Sequence, residues 1–447
     1  MTLKTYPSYK GSGIDWLGEI PAHWACKFFK RFGNFKAGAG FPNEDQGCQT
    51  GEVPFYKVSD MNLAGNEVSM ICSNNWVSRD VAKRLGATVF PAGTIILPKV
   101  GAALLTNKRR VLGVDACIDN NVMGFILQHG DVKWLYYLFL MLDLKPLTNP
   151  GALPSINESQ IERIRVCLPP IEEQQAIAAY LDEQTSKLDR LIANKRKHIK
   201  QLETLRKVTI QNAVTKGLNP DAPMKDSGID WLGEIPAHWS VRRFRKILHG
   251  NLVNGLFKKK DDFGSGTLLV NVFDIYRDDF LVSSERLDRV EASESEICSY
   301  KVESGDLFFV RSSLKREGVG RSACVLDTPE PMVFECHLVR GRLNATVAYP
   351  RYINYLLNSS VFNNILVSKA NIVTMATIDQ AKIQNLPSLC PPVPEQQAIA
   401  AYLDEQTSKL DRLLANKREQ IKQLETLRKV TIQDAVTGKI MVPGVEV

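Results

Sequence analysis

Apolar residues at Ile177, Leu181, Leu188, Leu191, Ile192, Ile199, Leu202, Leu205 and Val208 advance mostly in steps of three and four, the spacing of one face of a helix. Leu181, Leu188 and Leu202 share a seven-residue register that Lys195 and Thr209 interrupt, so the stripe reads as an imperfect coiled-coil seam. The pattern returns from Ile399 to Val430. Paired prolines stand before each stretch, Pro169–Pro170 and Pro391–Pro392, where proline opens a helix rather than breaking one. Glu172, Glu173, Asp182 and Glu183 come early and Lys195, Arg196, Lys197, Lys200, Arg206 and Lys207 late, which complements the helix macrodipole. Gly217 stands where a C′ glycine would end the first helix. A narrow apolar stripe on a long polar helix needs a partner helix. The prediction is an antiparallel pair in which Leu188, Leu191, Leu202 and Leu205 face Leu410, Leu413, Leu424 and Leu427. About 30 paired residues would make a rod of roughly 45 Å, comparable to the ~34–36 Å between successive major-groove faces of a duplex.

The two helices are near copies. Glu173–Val214 recurs as Glu395–Val436, 222 positions on, with four substitutions: Ile192 to Leu414, Lys197 to Glu419, His198 to Gln420 and Asn212 to Asp434. A second repeat, Ser12–Trp24, returns unchanged at Ser227–Trp239, 215 positions on. The stretches between, roughly 25–155 and 240–377, look little alike, and the unequal spacings make the second insert the longer one. One scaffold carrying two different readers is the implied layout. The expected segments are 1–155 and 221–377 as recognition domains and 156–220 and 378–447 as helical spacers.

Each insert reads as mixed α/β. Strands are predicted at Val53–Val58 and Ala87–Val100, then Thr267–Tyr276 and Gly305–Arg311; helices at Trp134–Leu142 and Tyr349–Leu357. Tyr56–Asp60 resembles Val270–Asp274, and Gly93–Lys99 resembles Gly305–Arg311, which suggests one fold with diverged surfaces. Basic and amide residues follow the second strand of each insert. They are Lys99, Asn107, Lys108, Arg109 and Arg110 in the first, and Arg311, Lys315, Arg316 and Arg321 in the second; Lys57 and the run Lys258–Lys259–Lys260 add to them. Arg and Lys can fork onto guanine and Asn onto adenine, whereas Lys runs more often neutralise phosphate.

Composition narrows the class only modestly. A chain of 447 residues with 44% hydrophobic and 23% charged content suits a cytoplasmic globular protein of two or three domains. No apolar run approaches the roughly 20 residues of a membrane span, and the first residues lack a signal-peptide core. The charge of +7 permits an anionic partner. Nine scattered cysteines without a C-x-x-C pair argue against a disulfide framework or a structural zinc, and most are expected to be buried apolar residues. Catalytic signatures are missing: Gly438–Lys439–Ile440 is no phosphate loop, Gly38–Ala39–Gly40 is no dinucleotide fingerprint, and Leu168–Pro169–Pro170–Ile171 lacks the asparagine and aromatic of an amino-methyltransferase motif. Six histidines show no metal spacing, and His23 and His238 beside Trp24 and Trp239 read as packed structural residues.

The Pro–Pro–x–x–Glu–Gln–Gln–Ala–Ile–Ala–Ala–Tyr–Leu–Asp segments (169–182, 391–404), the Leu–Asp–Arg–Leu helices after them and the twin Asp–Trp–Leu–Gly–Glu–Ile–Pro–x–His–Trp entrances carry a family likeness. The chain resembles the specificity subunit of type I restriction–modification systems over its whole length. The resemblance implies two target recognition domains, each reading half of a bipartite double-stranded DNA site, and a non-catalytic role. It also implies two methylation subunits carrying S-adenosylmethionine and a motor–nuclease subunit using ATP and Mg²⁺. Two alternatives stay open: a protein-interaction scaffold, or a subunit whose single partner fuses methylation and cleavage.

Overall fold

Five helices position everything else: α1 (Val132–Met141), α2 (Ile171–Lys216), α3 (Pro350–Asn358), α4 (Ser360–Ser368) and α5 (Val393–Val436). The computed structural model describes residues 4–149, 151, 153–372 and 374–446; the Lys260 side chain also lies outside the described set. Helices α2 and α5 have 46 and 44 residues, so each runs for roughly 65–70 Å. Both start just after the paired prolines, and Gly217, at φ +74°, ends α2 in the left-handed conformation that glycine adopts without strain.

The chain divides into two compact units, one comprising Met1–Lys195 with Gln420–Val447 and the other Arg196–Glu419. Each unit therefore combines one insert, the front of one long helix and the back of the other. In the first unit Arg428 of α5 meets Asp189 of α2 at 3.0 Å. In the second, Arg206 meets Asp411 at 3.0 Å and Arg418 meets Glu203 at 3.2 Å, so the paired stretches run antiparallel. Leu181, Thr185, Leu188 and Ile192 are buried on α2, as are Leu403, Thr407, Leu410 and Leu414 on α5. Leu202 and Leu424 are half-buried. Leu191, Leu205, Leu413 and Leu427 depart from the expected facing set, remaining 47–51% exposed. Each precedes a seam position by one residue, which turns it about 100° round the helix.

In the first unit a five-stranded sheet has the spatial order Gly33–Ala37, Val122–Leu127, Ile95–Pro98, Arg110–Leu112, Ser69–Met70, and a three-stranded sheet the order Cys117–Ile118, Val53–Tyr56, Trp76–Val77. The second unit repeats this topology. Its five strands are Val253–Asn254, Leu338–Gly341, Leu307–Val310, Ser322–Val325 and Leu281–Val282; its three are Met332–Phe334, Phe263–Val270 and Asp288–Val290. The two inserts are one fold, and the matched segments seen in the sequence occupy matched places.

The strands expected at Val53–Val58 and Thr267–Tyr276 end early, at Tyr56 and Val270, and the second begins earlier than expected, at Phe263. Val53–Tyr56 stops because the Asp60 carboxylate caps the Lys57 N–H at 2.7 Å, and Phe263–Val270 stops because Asp274 caps the Asn271 N–H at 2.8 Å. Within Ala87–Val100 only Ile95–Pro98 pairs as strand. Thr94 N–H closes a turn onto the Pro91 carbonyl at 3.2 Å, with Gly93 at φ +86°, and before this turn Phe90 pairs separately, as an isolated antiparallel bridge to Ala116.

Insert and helix share one core within each unit. Trp24, Trp134, Leu181 and Ile432 belong to a single buried cluster in the first, and Trp239, Tyr352, Leu403 and Ile210 to one in the second. The cysteine expectation needs correcting. Cys26 and Cys167 face each other across the antiparallel pair Ala25–Phe28 and Arg165–Leu168 and are bonded; tertiary pairing joins residues 141 apart. Cys48, Cys72 and Cys298 are exposed, while Cys117, Cys324 and Cys390 are buried. Among the described residues no helix is long and apolar enough to cross a membrane.

Candidate nucleic-acid interface

The repeated motifs are the grips by which the helices hold each insert. In the first unit the Trp24 indole donates to Glu173 at 3.0 Å and His23 Nε2 lies 2.8 Å from its other oxygen. In the second, Trp239 and His238 meet Glu395 at 3.0 and 2.8 Å. The glutamine next in sequence holds the insert's helix: Gln174 accepts the Asp131 N–H, just before α1, at 2.9 Å, and Gln396 accepts the Tyr349 N–H, just before α3, at 2.8 Å. About two turns on, Asp182 accepts from Tyr137 at 2.8 Å and Asp404 from Tyr355 at 2.7 Å. Burial raises both tyrosine pKa values, so each hydroxyl stays a donor. His23 and His238 thus hydrogen-bond the scaffold, but His238, with a side chain 49% exposed, is not the packed residue its sequence setting suggested.

A scaffold this invariant leaves sequence-dependent chemistry to the insert surfaces. In the first unit, much of the basic cluster is used internally. Asn107 donates to the Leu140 carbonyl at 2.8 Å, Lys108 to the Asn62 side chain, and Lys57 to Gln46 at 2.7 Å. Arg110 donates to the Arg109 and Met61 carbonyls at 2.8 and 3.1 Å. Arg109 is fully buried, with Nε and Nη2 lacking partners among the described residues, and burial lowers its pKa to about 10. As folded it offers nothing to a duplex, which corrects its place among the DNA-binding candidates: the chain that carries it turns inward to begin the strand Arg110–Leu112. Lys99, at the end of its strand, is half-exposed.

The second unit is more open at the same place. Arg311, Lys315 and Arg316 are exposed, as is Lys259. Lys258 instead pairs with Glu296 at 2.9 Å. Arg321 lies over the Phe280 ring at 5.0 Å and donates to the Arg277 carbonyl, and burial lowers its pKa. Around the exposed cations stand apolar residues that charge-based reading passes over: Leu314 is 85% exposed and Phe273 61%. With Tyr276 and Lys315 they line a cavity of about 730 Å³. Phe273 follows the capped strand end directly, and that position was the available signal. Glu335 and His337 of the cavity wall and the intervening Cys336 bring possible ligand atoms within 4.8 Å of one another. Glu335 there accepts the His337 N–H at 3.1 Å, and Ser312 bonds the His337 ring.

Comparison with known proteins gives this arrangement a class. Residues 21–204 match the type I restriction modification DNA specificity domain. The chain is 26% identical over 328 residues to the type I restriction enzyme MjaVIII specificity subunit of Methanocaldococcus jannaschii, covering 70% of this chain and 71% of the relative. It is 23% identical over 301 residues to the EcoKI specificity subunit of Escherichia coli K12, covering 66% of this chain and 62% of that protein. A solved structure from work on complex assembly and conformational transition of the type I R–M system superposes with a TM-score of 0.66 over 93% of this chain and 98% of the other, at 14% identity. Residues 21–204 thus resemble a type I restriction–modification DNA specificity domain, and the chain as a whole is similar in sequence and in fold to specificity subunits of such systems.

Proposed function

We propose that the chain reads a bipartite, asymmetric site on double-stranded DNA, one half with each insert, and directs adenine-N6 methylation and restriction by partner subunits. The observation that carries this reading is the pairing of identical grips with unlike surfaces. Matched hydrogen bonds of 3.0 and 3.0, 2.9 and 2.8, and 2.8 and 2.7 Å hold two copies of one fold, whose exposed residues after the second strand differ. A protein that needs two addresses on one geometry has this form.

On this reading residues 1–155 and 221–377 act as target recognition domains, and 156–220 and 378–447 as spacers. Lys99, Arg311, Lys315, Arg316 and Lys259 supply phosphate and base-edge contacts. The duplicated helix faces suit two copies of one methylation subunit, which bring S-adenosylmethionine; a motor–nuclease subunit brings ATP and Mg²⁺. The work is cytoplasmic, where the DNA is. The test is to exchange residues 25–155 for those of a relative and map methylated adenines in host DNA. One half-site should change; a change in both halves, or in neither, overturns the assignment.

A further inference from the structure

Among the described residues, the stretch that follows α1 in the first unit forms only the short turn Lys145–Leu147 where the second unit has helix α4 after α3, and a groove lies open beside that turn. In the second unit Phe362 of α4 packs edge-on against Trp231 at 5.2 Å, and Phe362 and Leu366 are wholly buried. Asn363 and Asn364 of α4 share a cleft with Arg206, Lys207 and Ile210 of α2. The repeat places Trp16, Arg428, Lys429 and Ile432 in the corresponding positions of the first unit. There they line a groove of about 670 Å³, with Leu140, Met141 and Ile164 on its apolar floor. Trp16, identical in sequence context to Trp231, is left 48% exposed.

We propose that this groove is a docking site for a helical segment of a partner protein, which takes the place that α4 takes in the second unit. The segment presents an aromatic and an aliphatic side chain four residues apart, so that both lie on one face, as Phe362 and Leu366 do. The rim also carries Lys429 and Lys439, whose places in the other copy are Lys207 and Gly217. The added lysine charge favours a segment with a carboxylate beside the aromatic anchor. A second copy of this chain is a poor occupant, because its own Phe362 and Leu366 are already buried. Among the described residues the groove occurs in the first unit and its counterpart is filled by α4 in the second, so the partner it recruits breaks the equivalence of the two units. This inference does not rest on the DNA-reading assignment.

The probe is a dye-labelled synthetic peptide copying residues 359–370, titrated with the full-length chain and followed by fluorescence anisotropy. Saturable binding of one peptide per chain is expected. Phe362→Ala in the peptide, which leaves the chain untouched, should weaken it at least about tenfold, as truncation of a buried aromatic anchor does. Trp16→Ala in the chain should do the same, while Trp231→Ala should leave binding unchanged. Absent saturation, or binding indifferent to both Phe362→Ala and Trp16→Ala, overturns the proposal. A photo-cross-linking residue at position 16, in the chain assembled with its methylation subunit, should capture the other polypeptide. Capture of a second copy of this chain, or of nothing, also overturns it.

Discussion

The Trp24 indole N–H reaches Glu173, 149 residues away in sequence, at 3.0 Å, and the Glu173 side chain is only 6% exposed. It accepts from Tyr6 and contacts His23 as well. Its counterpart Glu395 holds Trp239 and His238 with a side chain 29% exposed, and the position matching Tyr6 is Asp221. One motif thus works in two dielectric settings, and their consequences can be separated.

Glu173→Ala leaves a buried indole N–H and a buried phenol without their acceptor, which should cost about 2–3 kcal/mol, whereas Glu395→Ala should cost about 1 kcal/mol because water reaches the site. Denaturant unfolding of the two variants checks the order. Equal losses would refute the burial argument.

Arg109 carries a buried guanidinium whose Nε and Nη2 have no partner among the described residues. Arg109→Met should be neutral or raise stability by about 1 kcal/mol and leave the methylated sequence unchanged. Lys315→Ala or Arg316→Ala should weaken duplex binding by the assembled complex and lower its salt slope by about one. A loss of DNA binding in Arg109→Met with the fold intact would reinstate it as a contact residue.

Burial raises the pKa of Asp274 to about 6. An acid whose folded pKa lies above its unfolded value binds more protons when folded, so this group makes stability fall as pH rises from about 4 to about 6. Solvent screening at this half-buried site holds the effect to about 1 kcal/mol. Asp274→Asn keeps an oxygen for the Asn271 N–H and should flatten that slope, read from melting temperature across the window. An unchanged slope would exonerate Asp274.

If the long helices set the gap between half-sites, removing residues 195–201 and 417–423 together, about 10 Å of helix, should shorten the unmethylated gap in the recognised sequence or abolish methylation. The same site with the same gap would rule the ruler out.

Much of the frame is legible in the chain because it obeys local rules. Proline pairs and a terminal glycine punctuate α2, and repeated segments match in the fold because equal sequences repeat equal contacts. The Glu–Gln pair that opens each helix is visible as a motif, but its work is not. Trp24 and Asp131 are far from it in sequence, and only folding brings them onto Glu173 and Gln174. The basic clusters were harder still. Arg109 and Arg316 look alike as letters, yet one is buried and the other exposed.

Periodicity, punctuation and repetition are thus enough to indicate two long helices and two inserts of one fold, since each is written in neighbouring residues; the class of protein comes from the likeness of particular motifs to a known family. Which cations face solvent, which leucines lie beside the seam, that Cys26 meets Cys167, and that one unit fills with α4 a groove the other leaves open are decided by the tertiary structure. Those outcomes depend on burial and on pairing between distant segments, and neither is a property of any local stretch of chain.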